Sequence, residues 1–496
     1  MKEITKETKS KIKTFIVILV ITLIFCLPYL IPHKITDSYW NIGLEISEYK
    51  YIPLKDGRII HFLILFILDL LNIKMETYSI VVHYVCLIIY AFAIFNVYTY
   101  LIKILSSKIG QDNKKKAIIL MGSVLIILNP LTVENFAYIE NIIMSLSILI
   151  GTIAAKTLHE NKEKAYIKTT FLMILAGLCY QGNLNMWIVL SILYFAIDEK
   201  KPVKEWIKYF AKIATIVIIV LSALLIALNI CNSIIGNKQA RLGGANLSFE
   251  EIIILFLTFF IESITIITFG YYPKMLIISV IIITVFMIEW KEKNNTENMI
   301  LKYLLIVCIA ILACIVPAFM QKNINLSART TNGIGAIIGV SIIYMCQIIP
   351  KEGKVFEKIL LAFSVIIIGI NLFDYYNVAY MSQITTAEEQ KYVNEINSIM
   401  LEYEKENDII LKNVIFFKDK NYIETYNNFE YNTFTTKSLG TSYSRIYCLN
   451  YYTKRNLVEF PAQKKVYNEL FYDKDWNEFN KEQVQFDGDT VYICLY

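Results

Sequence analysis

Two carboxylates and an arginine stand in turn settings within one polar, aromatic stretch, residues 33–61 (HKITDSYWNIGLEISEYKYIPLKDGRIIH). Asp37 is followed by Ser38, and Asp56 by Gly57-Arg58. A carboxylate just outside lipid can take a proton from an acceptor hydroxyl, given hydrogen-bond reach and a pKa near the working pH. Arg58 could hold a phosphate as a charge-assisted fork. Each has a plainer reading as well. Asp37-Ser38 suits a helix N-cap, Asp56-Gly57 suits a turn, and an arginine at a membrane edge is often a snorkelling anchor. Tyr39, Trp40 and His61 complete the stretch as candidate substrate contacts.

Further along, Asn129-Pro130, Glu134, Asn135, Tyr138, Glu140 and Asn141 crowd the mouth of one apolar hairpin. Glu140 and Asn141 are expected to enter the apolar zone, where polar groups are costly and usually functional. Interhelical hydrogen bonding is the other reading. Tyr180, Gln181 and Asn183 line the next turn, offering amides and a ring of the kind that suit sugar hydroxyls, and would equally make an ordinary tight loop. Arg329 and Arg241 join Arg58 as phosphate candidates. No Walker-type loop, HExxH or GxSxG motif is present, which argues against a nucleotide-fuelled pump and a metal hydrolase. No metal is expected in the site.

The elements that must position these residues are membrane helices. The chain has 496 residues, 56% hydrophobic and 18% charged, with mean hydropathy +0.49. Its long apolar runs bounded by lysine clusters mean a polytopic membrane protein. The net charge of +5 reflects lysines that fix orientation, so nucleic acid is not expected as a partner. The nine cysteines are scattered without a CxxC and read as small packing residues. The basic N-terminus runs into an apolar span closed by Pro28 and Pro32, an uncleaved anchor.

Lysine bias places the N-terminus in the cytoplasm and residues 33–61 outside. Residues 59–73 are short for a span and are expected to lie on the outer surface. Alternating spans follow at 78–105, 117–128, 136–156, 169–180, 184–197 and 207–228. Of two apolar runs in 251–290, the first (251–268, with Glu262) is expected to be re-entrant or surface-lying, and 272–289 to cross. Spans at 301–317, 333–349 and 357–373 bring the total to about eleven. Residues 374–496 are polar and tyrosine-rich, with an amphipathic helix at 388–406 and strands at 413–417 and 489–495. They read as a small extracytoplasmic α+β domain on a transmembrane domain of residues 1–373. Cys448 and Cys494 both fall in it and could pair.

In order and spacing these motifs resemble the type II glucosyltransferase family, polytopic bacterial enzymes that decorate O-antigens and related surface polymers. The matching residues are Asp37, Gly57-Arg58, Asn129-Pro130 with Glu134-Asn135 and Tyr138, and Tyr180-Gln181. Arg329 before a Gly-rich span and the C-terminal FDGDTVYICLY follow. The family often has paired acids in the first loop, where this chain has Asp37-Ser38. It often has Arg and Asp after the hairpin tyrosine, where Ile139 and Asn141 stand.

The resemblance implies a GT-C-like fold in the bacterial cytoplasmic membrane. It implies transfer of a hexose, typically glucose, from polyprenyl phosphate to a surface polysaccharide on the outer face. The lipid-linked sugar is a substrate, so no cofactor is implied. The implied mechanism is a single inverting displacement: Asp37 deprotonates the acceptor, and Arg58 or Arg329 neutralises the departing phosphate. Implied partners besides membrane lipids are a small flippase and a polyprenyl-phosphate glucosyltransferase. A flippase or transporter of lipid-linked sugars and a surface-polymer polymerase remain as alternatives. A transporter would carry internal repeats and intramembrane charge pairs, and the sequence displays neither.

Overall fold

The computed structural model describes residues 6–31, 33–110, 112–197, 203–236, 316–320, 328–349, 353–426, 434–474 and 476–496, with isolated positions between 250 and 313. The expected elements at 251–268 and 272–289, most of 301–317, and Lys238 and Arg241 lie outside the described residues.

Long runs of apolar helix formers make the spans, and the one proline inside an unbroken span, Pro28, falls in the last turn of the first. Among the described residues, five helices are long and apolar enough to cross a membrane: Glu7–Leu30, Met75–Ile104, Asn141–Glu160, Lys204–Ile235 and Lys354–Asn407. The pair Asn113–Ile127 and Pro130–Phe136, bent by 50°, makes a sixth if counted as one broken span. This is a membrane-embedded, mostly helical protein.

The shorter apolar helices fall below the roughly 20 residues that a span needs. Ile59–Leu70 is one, and it turns Leu63, Phe66, Ile67 and Leu70 away from the protein, as a lipid-facing surface helix does. Leu184–Ile197 is buried at every position, which explains an apolar character without a polar stripe. Ala165–Cys179 packs beside it and ends at Tyr180.

The irregular stretch between Ile127 and Asn141 is enclosed by protein, which suits backbone that leaves a helix among apolar neighbours. Asn129 shows how. Its side chain accepts from Leu131 N and Thr132 N (3.0 and 3.2 Å) and donates to the Ile126 and Asn332 carbonyls (3.1 and 3.2 Å). The broken helix is thereby capped and tied to the helix Asn332–Ile348. Gly335 permits this approach, because a Cβ there would fall 2.0 Å from the Asn129 side-chain oxygen.

The C-terminal region carries a four-stranded sheet in the order β2-β1-β4-β3, with β1 Asn413–Lys418, β2 Val458–Glu459, β3 Val484–Asp487 and β4 Thr490–Leu495. β1 pairs in parallel with β2 and β4, and β3 runs antiparallel to β4. Side chains alternate across the sheet. Val414, Phe416, Val491 and Ile493 face one core with Tyr392, Val393 and Met400, while Phe417 and Cys494 face the other with Phe471 and Trp476. Cys448 belongs to the first core and Cys494 to the second, and both thiols are free. The pairing that the sequence left open is absent.

One helix runs unbroken over Lys354–Asn407, from the last span into the sheet domain. The composition change at 373/374 therefore falls mid-helix, and the amphipathic segment at 388–406 is its C-terminal part. The first-loop helix Thr36–Gly43 also joins this domain: Tyr39 is fully buried in the sheet core, its hydroxyl 2.6 Å from that of Tyr452.

Glu389 lies in the C-terminal half of the long helix and is 1% exposed. Its Oε1 accepts from Ser438 N and Leu439 N at 2.6 and 3.1 Å. Lys437, whose Nζ donates to the Tyr496 carbonyl at 2.6 Å, precedes the same strand of chain. Burial pushes the Glu389 carboxyl up to about 7, against 4.5 for an ordinary glutamate, while those backbone donors pull it down. Because the folded value is the higher one, protonation favours folding. The contribution is fully present below the unfolded value and lost as pH rises through about 7. Its size is on the order of 3 kcal/mol. Lowering the pH from about 7.5 to about 5 is therefore expected to raise the unfolding temperature, and Glu389→Gln should flatten that slope. An identical slope in the variant would remove Glu389 from the account.

Candidate functional site

The site assembles at the end of the bundle opposite Lys114, Lys115 and Lys116, where four short 3-10 segments meet. These are Pro53–Asp56, Pro130–Ala137, Gln181–Asn183 and Ala328–Thr330. Each brings one or more of the residues singled out by sequence. Gly57, at φ +68°, turns the chain after Asp56 and delivers Arg58 inward.

Two arginine–carboxylate pairs form the buried half. Arg58 donates from Nη1 to Glu140 Oε2 at 2.7 Å and lies 3.6 Å from Asp56 Oδ2. Its guanidinium stands 5.3 Å from the Tyr180 ring, and its buried Nε has no acceptor among the described residues. Arg329 donates from Nη1 to Glu134 Oε1 at 3.0 Å and from its backbone N–H to Glu134 Oε2 at 2.7 Å. It also donates to the Tyr138 hydroxyl, with its guanidinium 4.2 Å from that ring. Tyr180 lies between the two pairs, within electrostatic range of Arg58, Glu134, Glu140 and Asp56. Burial pushes its phenol up, and Arg58 pulls it back.

Tyr49 joins this half to an open one. Its hydroxyl donates to Glu140 Oε1 at 3.3 Å, and burial followed by the Glu140 charge keeps that phenol protonated. Its ring meets Trp40 edge-on at 6.3 Å and His61 at 6.2 Å. His61 is fully buried, and neither ring nitrogen has a hydrogen-bond partner among the described residues. Burial first, then the Arg58 charge, hold the imidazole well below its usual range, so it is neutral. On the open side, the Tyr443 hydroxyl donates to Asp37 Oδ1 at 2.6 Å, and Trp40 stands edge-on to Tyr443 at 6.2 Å. Asp37, half-exposed Trp40 and exposed Tyr443 thus form a mouth between the bundle and the sheet domain.

The amides have a different part. Asn135 donates to the Tyr90 hydroxyl at 3.2 Å, which in turn donates to Asn141 Oδ1 at 2.8 Å. Asn183 donates to the Met144 carbonyl and accepts from Asn332 Nδ2, both at 2.8 Å. Gln181 donates to the Asp56 carbonyl at 3.1 Å. For Asn141 this is the interhelical tie foreseen as the plainer reading; Gln181 and Asn183 likewise hold the chain in place. Asn135 Oδ1 and Asn141 Nδ2 nevertheless keep unused capacity, with no partner among the described residues.

Of the candidates, Asp56, Arg58, Glu134, Tyr138, Glu140, Tyr180 and Arg329 come together, and His61 adjoins them. Asp37 and Trp40 lie at the mouth. Tyr39 is a correction: sealed in the sheet core, it has no surface to offer a substrate. The structure also brings together two arginine–glutamate pairs that the sequence did not display as pairs. Sequence reading missed Tyr49, Tyr90, Asn332 and Tyr443. Tyr49 shares the first loop and Asn332 begins the Gly-rich span, so both carried a local signal. Tyr90 and Tyr443 carried none, since their partners lie 51 and 406 residues away.

No known family matches this chain, and neither a characterised protein nor a solved structure matches it.

Proposed function

We propose that this protein is a membrane glycosyltransferase that moves a hexose, glucose in the first instance, from a polyprenyl-phosphate carrier to a surface polysaccharide. The observation that carries the reading is the two-part site. Arg58 and Arg329 stand in the buried half, where a lipid phosphate would enter, and Asp37 with Trp40 and Tyr443 stands in the open half, where a polymer hydroxyl would enter. Asp37 accepts the hydroxyl proton, and the oxygen displaces polyprenyl phosphate at the anomeric carbon with inversion. The departing phosphate needs charge stabilisation rather than protonation, which an arginine supplies. The unused Nε–H of Arg58 is the donor best placed for it. In this reading the site faces outward, the lysine-bearing ends are cytoplasmic, and a small flippase and a polyprenyl-phosphate glucosyltransferase supply the donor.

The test is transfer of labelled glucose from polyprenyl phosphate in right-side-out vesicles. Product should form on acceptor supplied outside and not on acceptor sealed within. Arg58→Lys keeps the charge but loses the fork, so donor KM should rise more than kcat falls. An unchanged donor KM would leave Arg329 as the phosphate ligand.

A second reading, transport of a lipid-linked sugar, is favoured by one specific observation: buried arginine–glutamate pairs beside a broken helix are features of transporter sites. Movement of labelled carrier across the membrane without any new glycosidic bond would decide for it.

A further inference from the structure

At the other end of the bundle the helices Lys6–Cys26, Met75–Ile104 and Asn141–Glu160 leave an open groove of about 660 Å³. Its length is apolar and uncovered: Phe92 is 47% exposed and Ile153 38%, with Phe95 beside them. Its rim is basic. Lys103 and Lys156 place their ammonium groups 5.8 and 5.7 Å from the centre of one ring, that of Tyr100. Lys103 must share Glu160 with Lys162, at 3.0 and 3.3 Å. Lys156 has no carboxylate partner among the described residues. Lys11, also on the rim, is paired with Glu7 at 2.6 Å. Lys103 and Lys156 thus stand about one phenol, and the one carboxylate near Lys103 is shared with Lys162, which leaves the rim with excess positive charge for an anion to answer.

We propose that this groove binds an anionic phospholipid, its phosphate between Lys103 and Lys156 and an acyl chain along Phe92, Phe95 and Ile153. The charge decides the class of occupant. An uncharged headgroup would leave the excess positive charge at the rim unanswered, whereas basic pockets between membrane helices hold phosphate headgroups by this chemistry. The inference is independent of the transferase reading, because the groove shares no residue with the site.

The experiment uses the purified full-length chain and native mass spectrometry, with phosphatidylglycerol and phosphatidylcholine of identical chains offered together. Wild type should retain phosphatidylglycerol in preference. Each lysine is worth about fivefold in binding, so Lys156→Gln should lower retention about fivefold and the Lys103→Gln, Lys156→Gln pair about twenty-five-fold. Ile153→Trp fills the apolar length without touching charge and should abolish retention. Lys208→Gln, on an exposed lysine outside the groove, should change nothing. Equal retention of both lipids would overturn the proposal, as would a preference that survives the double variant or falls equally in Lys208→Gln. Retention of polyprenyl phosphate but not phosphatidylglycerol would overturn the class of lipid assigned.

Discussion

Asp37→Asn is expected to lower transfer by about 10²–10⁴-fold at unchanged protein level, the range that general-base catalysis is worth. The substitution is nearly isosteric and keeps an oxygen for the Tyr443 hydroxyl, so the junction between bundle and sheet domain should survive. What is lost is the capacity to take a proton. Asp56→Asn is the control. The firmest tie of that residue runs through its backbone carbonyl, which accepts from Gln181, and an amide leaves this bond intact. Tyr443→Phe removes one donor to the Asp37 carboxylate. A hydrogen bond to a charged group is worth roughly 1.5–3 kcal/mol, so the loss should be tenfold or more yet smaller than in Asp37→Asn. Near-normal transfer by Asp37→Asn would end its role as base. A larger loss in Glu140→Gln would move that role to the carboxylate beside Arg58.

Hydropathy made the long spans and the two central strands readable. The run 78–105 is the helix Met75–Ile104, and the stretches 413–417 and 489–495 are β1 and β4, paired in register from Asn413 with Thr490. The boundary at 373 shows the limit of that signal. Hydropathy reports which solvent surrounds a segment, whereas helix continuity depends on the absence of breakers. Residues 374–407 contain neither glycine nor proline, so the backbone continues while its surroundings change. The short 3-10 segments were legible only as turns, because part of what holds them lies far off in sequence: Asn129, which caps one of them, is itself tied to the Asn332 carbonyl. The site was legible as an inventory rather than a geometry. Arg58, Glu140, Arg329 and Glu134 all stood out as costly charges near apolar runs, but nothing local says which acid meets which base. The Glu134–Arg329 pair closes over 195 residues, and that partnership is a property of the packed bundle.

That packing makes the second large expectation. Glu140→Ala should destabilise the protein by about 3 kcal/mol, the low end of the cost of orphaning one member of a buried pair. Arg58 and Glu140 side chains are only 17% and 16% exposed, so the guanidinium cannot regain much water. Asp56 at 3.6 Å holds the estimate to that lower end by offering Arg58 a second carboxylate. The Tyr49 hydroxyl loses its acceptor in the same stroke. If the pair served architecture alone, removing both charges should cost less than removing one, since two apolar side chains of similar volume often replace a buried pair without loss. Arg58→Met with Glu140→Leu is therefore expected to regain most of the lost stability, an interaction that a double-mutant cycle reads directly from thermal unfolding in detergent. Transfer, however, should stay absent in that double variant, because no guanidinium remains for the phosphate. Recovered stability with absent transfer assigns the pair both tasks. A double variant no more stable than Glu140→Ala would mean that the charges are not coupled as their 2.7 Å contact requires, and restored transfer would remove Arg58 from the chemistry.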